Sequence, residues 1–275
     1  MSLVVSVLSP HCSANGNTVT SVFLALGLGN MRKKVLLAHT DAISDSLYMY
    51  LGLHQYEDKT STPTQMVKLL REGAIPAEDI PDYCKKIYDN TYAFTNNSSN
   101  FEDTDMLTFS KYLIEHSDFD YIIYDFNNFD SETANYALKK SDVVVINLTQ
   151  SFRELDEFKA NSQKYAKMFA GKKIILVCNK YNSIISTDKD VAKRIGVKAP
   201  VQIIHYNPWI VYGCNHGTLL DICQNIKKNN HKVVELRSDI NRLATAVSKI
   251  RLQSLKAKQD ARRSSLNLSK GDGTK

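Results

Sequence analysis

The chain has no run of about 18 apolar residues, so its sequence predicts no transmembrane helix. No basic region precedes an apolar segment near the N-terminus, so a signal peptide is not expected either. The five cysteines are scattered and form no C-x-x-C pair, which is typical of reduced thiols rather than of a metal site. These absences predict a cytoplasmic protein. Its 275 residues are enough for one large α/β domain, alone or with an appendage.

Strong charge of either sign is also missing from most of the chain. Residues 231–275 contain 11 Lys and Arg against 4 Asp and Glu, whereas residues 1–230 contain 24 against 25. The net charge of +6 therefore belongs to the C-terminal segment. This distribution argues against a basic groove across the main domain and favours a local partner of the C-terminal segment.

Residues 3–21 predict an anion site. Residues 3–8 form an apolar, β-branched run typical of a buried strand, and a loop of small and polar residues follows up to Asn17. Thr18 then opens an apolar helical pattern. This order directs the free N–H groups and the positive end of the helix dipole at the loop. Gly16-Asn17-Thr18 stands where a phosphate loop has Gly-Lys-Thr, so the loop lysine is missing.

Short apolar strands alternate with helical segments along the rest of the main domain. Further strands are predicted at residues 34–38, 91–94, 121–124, 142–148, 173–178 and 201–204. This alternation predicts an α/β fold, with a doubly wound, mostly parallel sheet and helices on both faces. In such sheets, ligands bind at the carboxyl ends of the strands.

Three local expectations accompany this pattern. Residues 80–88 are expected to form a short helix, and residues 42–61 are expected to be irregular. Ser151 and Glu154 have the spacing of a capping box that would open one helix running to Ala170.

The strand ends resemble those of a known family. A first strand with its loop and helix is followed by strands that end in Asp41, Asp125 and Asn179. Over residues 1–230 this order resembles the MinD/ParA family of deviant Walker-A ATPases. Within that family, the eroded loop is most similar to the pilus-positioning TadZ/CpaE-like proteins.

The loop itself departs from the family pattern. The family loop is K-G-G-x-G-K-[ST], and residues 12–18 of this chain are C-S-A-N-G-N-T. Aligned on Gly16, the signature lysine becomes Cys12 and the phosphate-loop lysine becomes Asn17. Such lysines neutralise phosphate charge that develops in the transition state, so weak or absent hydrolysis is expected. Backbone N–H groups alone still bind phosphate.

The resemblance implies ATP and Mg²⁺ as ligands. It implies that Thr18 and Asp125 hold the metal and that Asp41 is the catalytic carboxylate near the attacking water. The implied nucleotide-binding residues are His11, Asn15, Gly16, Asn17, Thr18 and Val19 around the phosphates, with Asn179 and Pro208 around the adenine. A strand-end aspartate is also common as a plain turn or helix cap, and this alternative stays open for both carboxylates.

The C-terminal segment is predicted as a basic amphipathic helix over residues 231–263, followed by a disordered tail over residues 264–275. Apolar residues recur every three or four positions on this helix, at Leu236, Ile240, Leu243, Val247 and Ile250. Three alternatives remain open for it. The helix packs on the domain or on a partner's helix, lies on an anionic membrane, or binds nucleic acid without sequence specificity.

These features together predict a degenerate nucleotide-binding protein that dimerises and docks a protein partner. The docking surface would be the C-terminal helix or residues 42–118, and the expected role is to position or scaffold an assembly such as a pilus or secretion apparatus. Recruitment to the membrane or the cell pole is compatible with this role. The alternative function is an active ParA-type ATPase that partitions plasmids or chromosomes and binds DNA non-specifically.

Overall fold

A computed structural model describes residues 2–10, 15–41, 46–53, 63–73, 75–95, 102–127, 129–225 and 234–271. Its strands are β1 (Leu3–Leu8), β2 (Val35–His39), β3 (Lys85–Tyr88), β4 (Thr91–Phe94), β5 (Tyr121–Asp125), β6 (Val143–Leu148), β7 (Lys173–Tyr181) and β8 (Gln202–His205). They form one sheet in the order β3-β4-β2-β5-β1-β6-β7-β8. The β3–β4 pair is antiparallel and the other pairs are parallel.

The helices cover both faces of this sheet. They are α1 (Asn17–Asn30), α2 (Ser46–Tyr50), α3 (Pro63–Arg71), α4 (Asp103–His116), α5 (Glu132–Lys140), α6 (Phe152–Ala160), α7 (Ser162–Met168), α8 (Asp188–Ile195), α9 (Pro208–His216), α10 (Leu219–Asn225) and α11 (Val234–Gly271), with a 3₁₀ helix at Ala77–Tyr83. Two apolar cores result, one with α3, α4, α5, α6 and α8, and one with α1, α2, α9, α10 and α11.

Strand β1 shows why the sheet is buried on both sides. Val4 and Leu8 pack into one core, whereas Leu3, Val5 and Val7 pack into the other. Every second side chain of a strand points to the same face, so an uninterrupted apolar run serves both layers. The predicted doubly wound α/β fold is confirmed. No described helix is long and apolar enough to cross a bilayer.

The predicted helix at residues 80–88 is wrong. The chain instead forms the 3₁₀ helix Ala77–Tyr83 and then β3, which pairs with β4 as an antiparallel hairpin. Pro81 lies inside the 3₁₀ helix and donates no backbone hydrogen bond, which disfavours an α-helix there. The segment expected to be irregular also contains a short helix, α2, and its other residues lie largely outside the described ranges.

The predicted capping box at Ser151 and Glu154 is also wrong. The Ser151 side chain makes no capping hydrogen bond. Glu154 instead accepts from the backbone N–H of Thr149 at 3.2 Å, because that donor precedes the helix and lies within reach. The predicted single helix to Ala170 is two helices, α6 and α7, which meet at Asn161.

Helix α11 packs against the domain through its apolar seam. Leu236, Ile240, Leu243 and Val247 are buried there against the core that contains α1. Gly27 of α1 permits the close approach, since a Cβ at this position would lie 2.8 Å from the Cβ of Ala244. The helix continues to Gly271, beyond the predicted end, because no glycine or proline interrupts it.

A buried carboxylate sets the register of α11. Asp239 has no exposed surface and accepts from the backbone N–H of His205 at 2.9 Å. Its Oδ2 also lies 2.9 Å from Nδ1 of His205, and Arg242 donates to its Oδ1. Further along the helix, Arg251 donates to Asp120 at 2.6 Å. The polar contacts fix which turn of α11 faces the end of β8.

We expect Asp239→Ala to lower the free energy of unfolding by about 3 kcal/mol, because it removes a fully buried carboxylate that accepts from the backbone N–H of His205 and lies 2.9 Å from the His205 Nδ1 atom. Urea denaturation measures the change. Arg242→Gln is the matched control, with an expected loss below about 1 kcal/mol, since the Arg242 side chain is 49% exposed. Equal losses in the two variants would contradict the assignment of Asp239 as the anchor.

Candidate functional site

A cavity of 540 Å³ opens at the carboxyl end of the sheet. It lies between the N-terminus of α1, the ends of β5, β7 and β8, and the helices α2 and α9. The lining residues are Asn15, Gly16, Asn17, Thr18, Val19, Ser46, Tyr50, Phe126, Asn127, Asn179, Lys180, His205, Tyr206, Asn207, Ile210, Val211, Cys214 and Asn215. Most of the predicted nucleotide-binding residues are therefore brought together.

The first turn of α1 supplies hydrogen-bond donors to this cavity. Gly16 precedes the helix in a left-handed conformation, with φ of 83°, and no side chain caps the helix. Asn17, Thr18 and Val19 follow, and their backbone N–H groups have no partner within the helix. Gly16 also lies close to Asn179, whose Nδ2 would be 2.5 Å from a Cβ placed on the glycine. The arrangement suits an anion.

Asn17, at the position of the phosphate-loop lysine, is turned into the protein. Its Nδ2 donates to the carbonyl of Phe126 at 3.0 Å. Its Oδ1 accepts from Nδ2 of Asn147 at 3.0 Å. Asn17 therefore adds no positive charge, and its amide holds α1 against the ends of β5 and β6.

Asn17 belongs to a buried amide network formed by Asn17, Thr20, Asn147 and Asn179. Thr20 Oγ1 donates to Oδ1 of Asn147 at 2.9 Å and accepts from Nδ2 of Asn179 at 2.8 Å. Asn147 and Thr20 are fully buried. Sequence reasoning missed both residues, although Asn147 is the one polar residue of β6 and so was a detectable signal.

Asn179, predicted to hold the adenine, is largely occupied by protein contacts. Its Nδ2 donates to Thr20 and, at 3.3 Å, to the carbonyl of Gly16. Its Oδ1 accepts from the backbone N–H of Lys180 at 2.8 Å. A carboxamide has two donors and two acceptor positions, so one acceptor position remains for a ligand.

Asp125 is a fully buried carboxyl at the end of β5. Ser21 donates to its Oδ1 at 3.1 Å, whereas Oδ2 has no hydrogen-bond partner among the described residues. Burial raises the pKa of Asp125 to about 7, whereas the neighbouring hydroxyls of Thr18 and Ser21 lower it and the charge of Asp41 raises it further. The side chains of Asp41 and Asp125 are thus close enough to interact.

The orphaned oxygen of Asp125 fits a divalent cation. Thr18 lies beside it, and the Thr18 hydroxyl is 3.0 Å from that of Ser46. Within the described ranges, no three His, Cys, Asp or Glu side chains are grouped to hold a metal ion. Magnesium commonly needs only one or two protein oxygens when phosphate and water complete its shell. The residues present fit Mg²⁺ bound together with a phosphate.

The remaining predicted residues lie at the rim or outside the described chain. Asn15 donates to Oγ of Ser9 at 2.6 Å and to Oε1 of Glu154 at 2.7 Å, so its amide is fixed. Pro208 is exposed at the first turn of α9 and does not line the cavity, although the preceding Asn207 does. His11 falls outside the described residues.

The far end of the cavity contains two basic side chains that sequence reasoning did not select. Lys180 lines it with a left-handed backbone, φ 52°, and His205 lies on the neighbouring strand. The Nδ1 atom of His205 is engaged by Asp239 of α11. This end also has the apolar walls Ile210 and Val211, which suit a flat organic group.

Comparison with known proteins identifies the fold. The chain matches no family model and no curated protein. The septum site-determining protein MinD of Pyrococcus horikoshii, solved with Mg-ADP, has a TM-score of 0.66 and 18% identity over 91% of this chain and 97% of its own. The cell division ATPase MinD of Pyrococcus furiosus has a TM-score of 0.66 and 20% identity over 91% and 100% of the chains. This chain has the MinD fold.

The fold is also similar to that of a ParA family protein. A ParA family ATPase from Chlorobium tepidum has a TM-score of 0.64 and 18% identity over 88% of this chain and 96% of its own. The fold that the resemblance implied is therefore confirmed. At these identities the likeness covers the fold, and the roles of Thr18, Asp41 and Asp125 stay predictions.

The site also predicts an acid-dependent loss of stability. His39 is buried opposite Asp125 in the β2–β5 register, and burial lowers the pKa of His39 from 6.5 to about 4, against a raising effect of the Asp41 backbone. In the unfolded chain His39 becomes protonated below about pH 6.5, whereas in the folded protein it does so only below about pH 4. The free energy of unfolding therefore decreases by up to about 3 kcal/mol as the pH falls between these two values.

The variant His39→Leu removes this contribution. Its free energy of unfolding should therefore fall less than that of the wild type between pH 7 and pH 4, as measured by urea denaturation at each pH. The raised pKa of Asp125 makes the free energy of unfolding increase as pH falls. This effect is present in both the wild type and His39→Leu, so it cancels when the two are compared. His116→Gln, at an exposed histidine of α4, is the control. Parallel pH curves for wild type and His39→Leu would refute the assignment.

Proposed function

We propose that the cavity binds a magnesium nucleotide that is hydrolysed weakly or not at all, and that the bound protein positions or scaffolds a larger assembly. One observation carries the proposal. The uncapped N-terminus of α1 lines a 540 Å³ cavity, and the buried carboxyl of Asp125, one oxygen of which has no hydrogen-bond partner among the described residues, interacts with Thr18 of that same turn. Helix donors suit phosphate and the free oxygen suits a cation, so the pair suits a metal-bound phosphate.

The residues divide this task between them. The backbone N–H groups of Asn17, Thr18 and Val19 would bind phosphate, and Thr18 and Asp125 would hold Mg²⁺. When bound, the cation would neutralise phosphate charge and orient the phosphates. The base would lie toward α9, where the remaining acceptor position of Asn179 and the apolar wall of Ile210 are available.

Weak hydrolysis follows from the chemistry of the loop. Residues 11–14 are His-Cys-Ser-Ala, with no lysine or arginine, and Asn17 is neutral. Both ends of the Asn17 amide are hydrogen-bonded inside the protein. Nothing in this loop supplies the fixed cation that stabilises a phosphoryl-transfer transition state. Asp41, the proposed catalytic carboxylate, therefore lacks the fixed positive charge that normally assists such a group.

The positioning role is supported by the names of the structural neighbours. MinD of P. horikoshii is described as septum site-determining, and MinD of P. furiosus as a cell division ATPase. We therefore propose that this protein forms a homodimer. The dimer would bind a protein partner through residues 42–118 or through the part of α11 beyond its packed seam. We propose that the assembly it positions is a pilus or secretion apparatus, by analogy with the TadZ/CpaE-like proteins.

Calorimetric titration with Mg-ATP tests the nucleotide site. The wild type should show saturable binding with turnover no faster than a blank reaction, and Thr18→Val should weaken binding about tenfold or more, because it removes a metal ligand at constant volume. Gly16→Arg, which fills the loop, is the blocked-site variant. Thr108→Val, on α4, is the control. Binding of equal strength in wild type and Thr18→Val would reject the site.

A second candidate function, DNA partitioning, is favoured by the basic C-terminal segment. The scaffold proposal expects a dimer that survives Asp125→Ala, measured by analytical ultracentrifugation. It also expects no ATP-dependent retention of DNA. Partitioning instead requires retention that needs ATP, weakens steeply with salt and is lost on the charge reversals Arg262→Glu and Arg263→Glu. Retention with those properties would replace the scaffold proposal.

A further inference from the structure

We propose that a shallow groove between α5 and α7 docks an acidic segment of a partner protein, one that carries an apolar side chain among its carboxylates. The groove lies at the end of the sheet where β6 and β7 begin, opposite the ligand cavity. This surface differs from residues 42–118 and from α11, and a partner bound there would leave the cavity accessible.

The groove has a volume of 350 Å³ and lies within the continuously described residues 129–225. It is lined by Asn135, Leu138, Lys139, Met168, Ala170 and Lys172. The Nζ atom of Lys172 donates to the carbonyls of Lys139 and Ser141, at 3.0 Å each. These hydrogen bonds join the start of β7 to the end of α5, so they fix the spacing between the two sides of the groove.

Six lysines from two separate stretches of sequence surround this groove. We call them the lysine cluster: Lys139, Lys140, Lys164, Lys167, Lys172 and Lys173. Lys139 and Lys172 line the groove, and Lys164 lies one helical turn before the lining residue Met168. Five of the six are exposed, and Lys172 is half-buried. The near-neutral charge of residues 1–230 as a whole conceals this local excess of positive charge.

Few carboxylates offset the charge of the lysine cluster. Asp142 interacts with Lys172, and Glu115 accepts from the hydroxyl of Tyr136, whose ring centroid lies 5.6 Å from Nζ of Lys140. Within the described ranges, no member of the cluster forms an ion pair with an aspartate or glutamate. Other basic side chains do form such pairs, namely Lys34 with Asp118, Arg71 with Asp105 and Arg194 with Asp156. The cluster therefore suits a ligand that brings negative charge.

Apolar side chains among the lysines decide the kind of ligand. Met168 is 37% exposed, and Leu138 and Ala170 line the same groove. Protein interfaces combine an apolar centre with a polar rim in this way, and methionine adapts its shape to varied apolar partners. The phosphates of a nucleic acid would engage the lysines alone, and a planar bilayer does not enter a concave groove. Charge complementarity and the apolar lining together favour an acidic protein segment with an apolar anchor.

Fluorescence anisotropy with two labelled synthetic peptides tests the proposal. One peptide alternates glutamate with leucine, and the other has serine in place of each leucine. The full-length protein should bind the leucine peptide saturably and about tenfold more tightly than the serine peptide, because burying one large apolar side chain contributes at least that much.

Two variants of the groove separate the charge from the apolar contact. Lys139→Glu combined with Lys164→Glu should weaken binding of both peptides about tenfold or more, because attraction becomes repulsion at two positions. Met168→Ser should weaken binding of the leucine peptide alone, and it keeps the test decisive if the double charge reversal does not fold. The matched control is Arg262→Glu combined with Arg263→Glu, which changes the net charge equally on the C-terminal helix and should leave both affinities unchanged.

Each outcome decides for or against the groove. No saturable binding up to about 1 mM peptide would overturn the proposal. Binding lost in the Arg262 and Arg263 control but kept in the groove variants would overturn it as well, since the peptide would then lie on the C-terminal helix. Duplex DNA or anionic lipid vesicles bound through Lys139 and Lys164 more tightly than the leucine peptide would overturn the assignment to a protein partner. Loss in the groove variants with an unchanged control would support it.

Discussion

The geometry of the site depends on the buried amide network of Asn17, Thr20, Asn147 and Asn179. Its hydrogen bonds join the first turns of α1 to the ends of β5, β6 and β7, and those made by Thr20 are fully buried, whereas those made by Asn17 are partly buried. Buried polar networks are stabilising only when they are satisfied throughout, so a change at one member reaches the others. The first turn of α1 is thus tied to the sheet by neutral groups at Asn17, where a phosphate-loop lysine would carry a positive charge.

The loop shows how far sequence reasoning extends. The strand β1, the helix start after Gly16 and the loss of the lysine at Asn17 could all be predicted from adjacent residues. The hydrogen-bond partners of the Asn17 amide could not be predicted in this way. Phe126 and Asn147 are more than 100 positions away in the sequence, and only the strand order of the sheet brings them next to Asn17. Local spacing likewise suggested a capping box for Glu154, whereas the folded chain offers it Asn15 and Thr149 instead.

The C-terminal helix shows the same limit: the sequence predicts its apolar face but not the surface against which that face packs. Its apolar spacing predicted a helix with one buried face, and left open whether the face meets the domain, another chain or a membrane. The helix packs against the domain because of two features that the apolar spacing does not show. Gly27 allows α1 and α11 to approach closely, and Asp239 accepts a hydrogen bond from the backbone of His205. A single aspartate within an apolar stripe decides the register, since only one docking position satisfies it.

The same aspartate gives the helix a mechanical property. Beyond Arg251 the helix runs on to Gly271, with Leu252 and Leu255 exposed, and these last 20 or so residues span about 30 Å. An α-helix of this length is a stiff rod. Its packed part contacts His205, which lines the cavity, through Asp239 and ends at the Arg251–Asp120 pair. A tilt of about 10° at Arg251 would displace the far end by about 5 Å. The helix is therefore a lever whose short arm, from Asp239 to Arg251, contacts the wall of the cavity and whose long arm continues for about 30 Å past that pair.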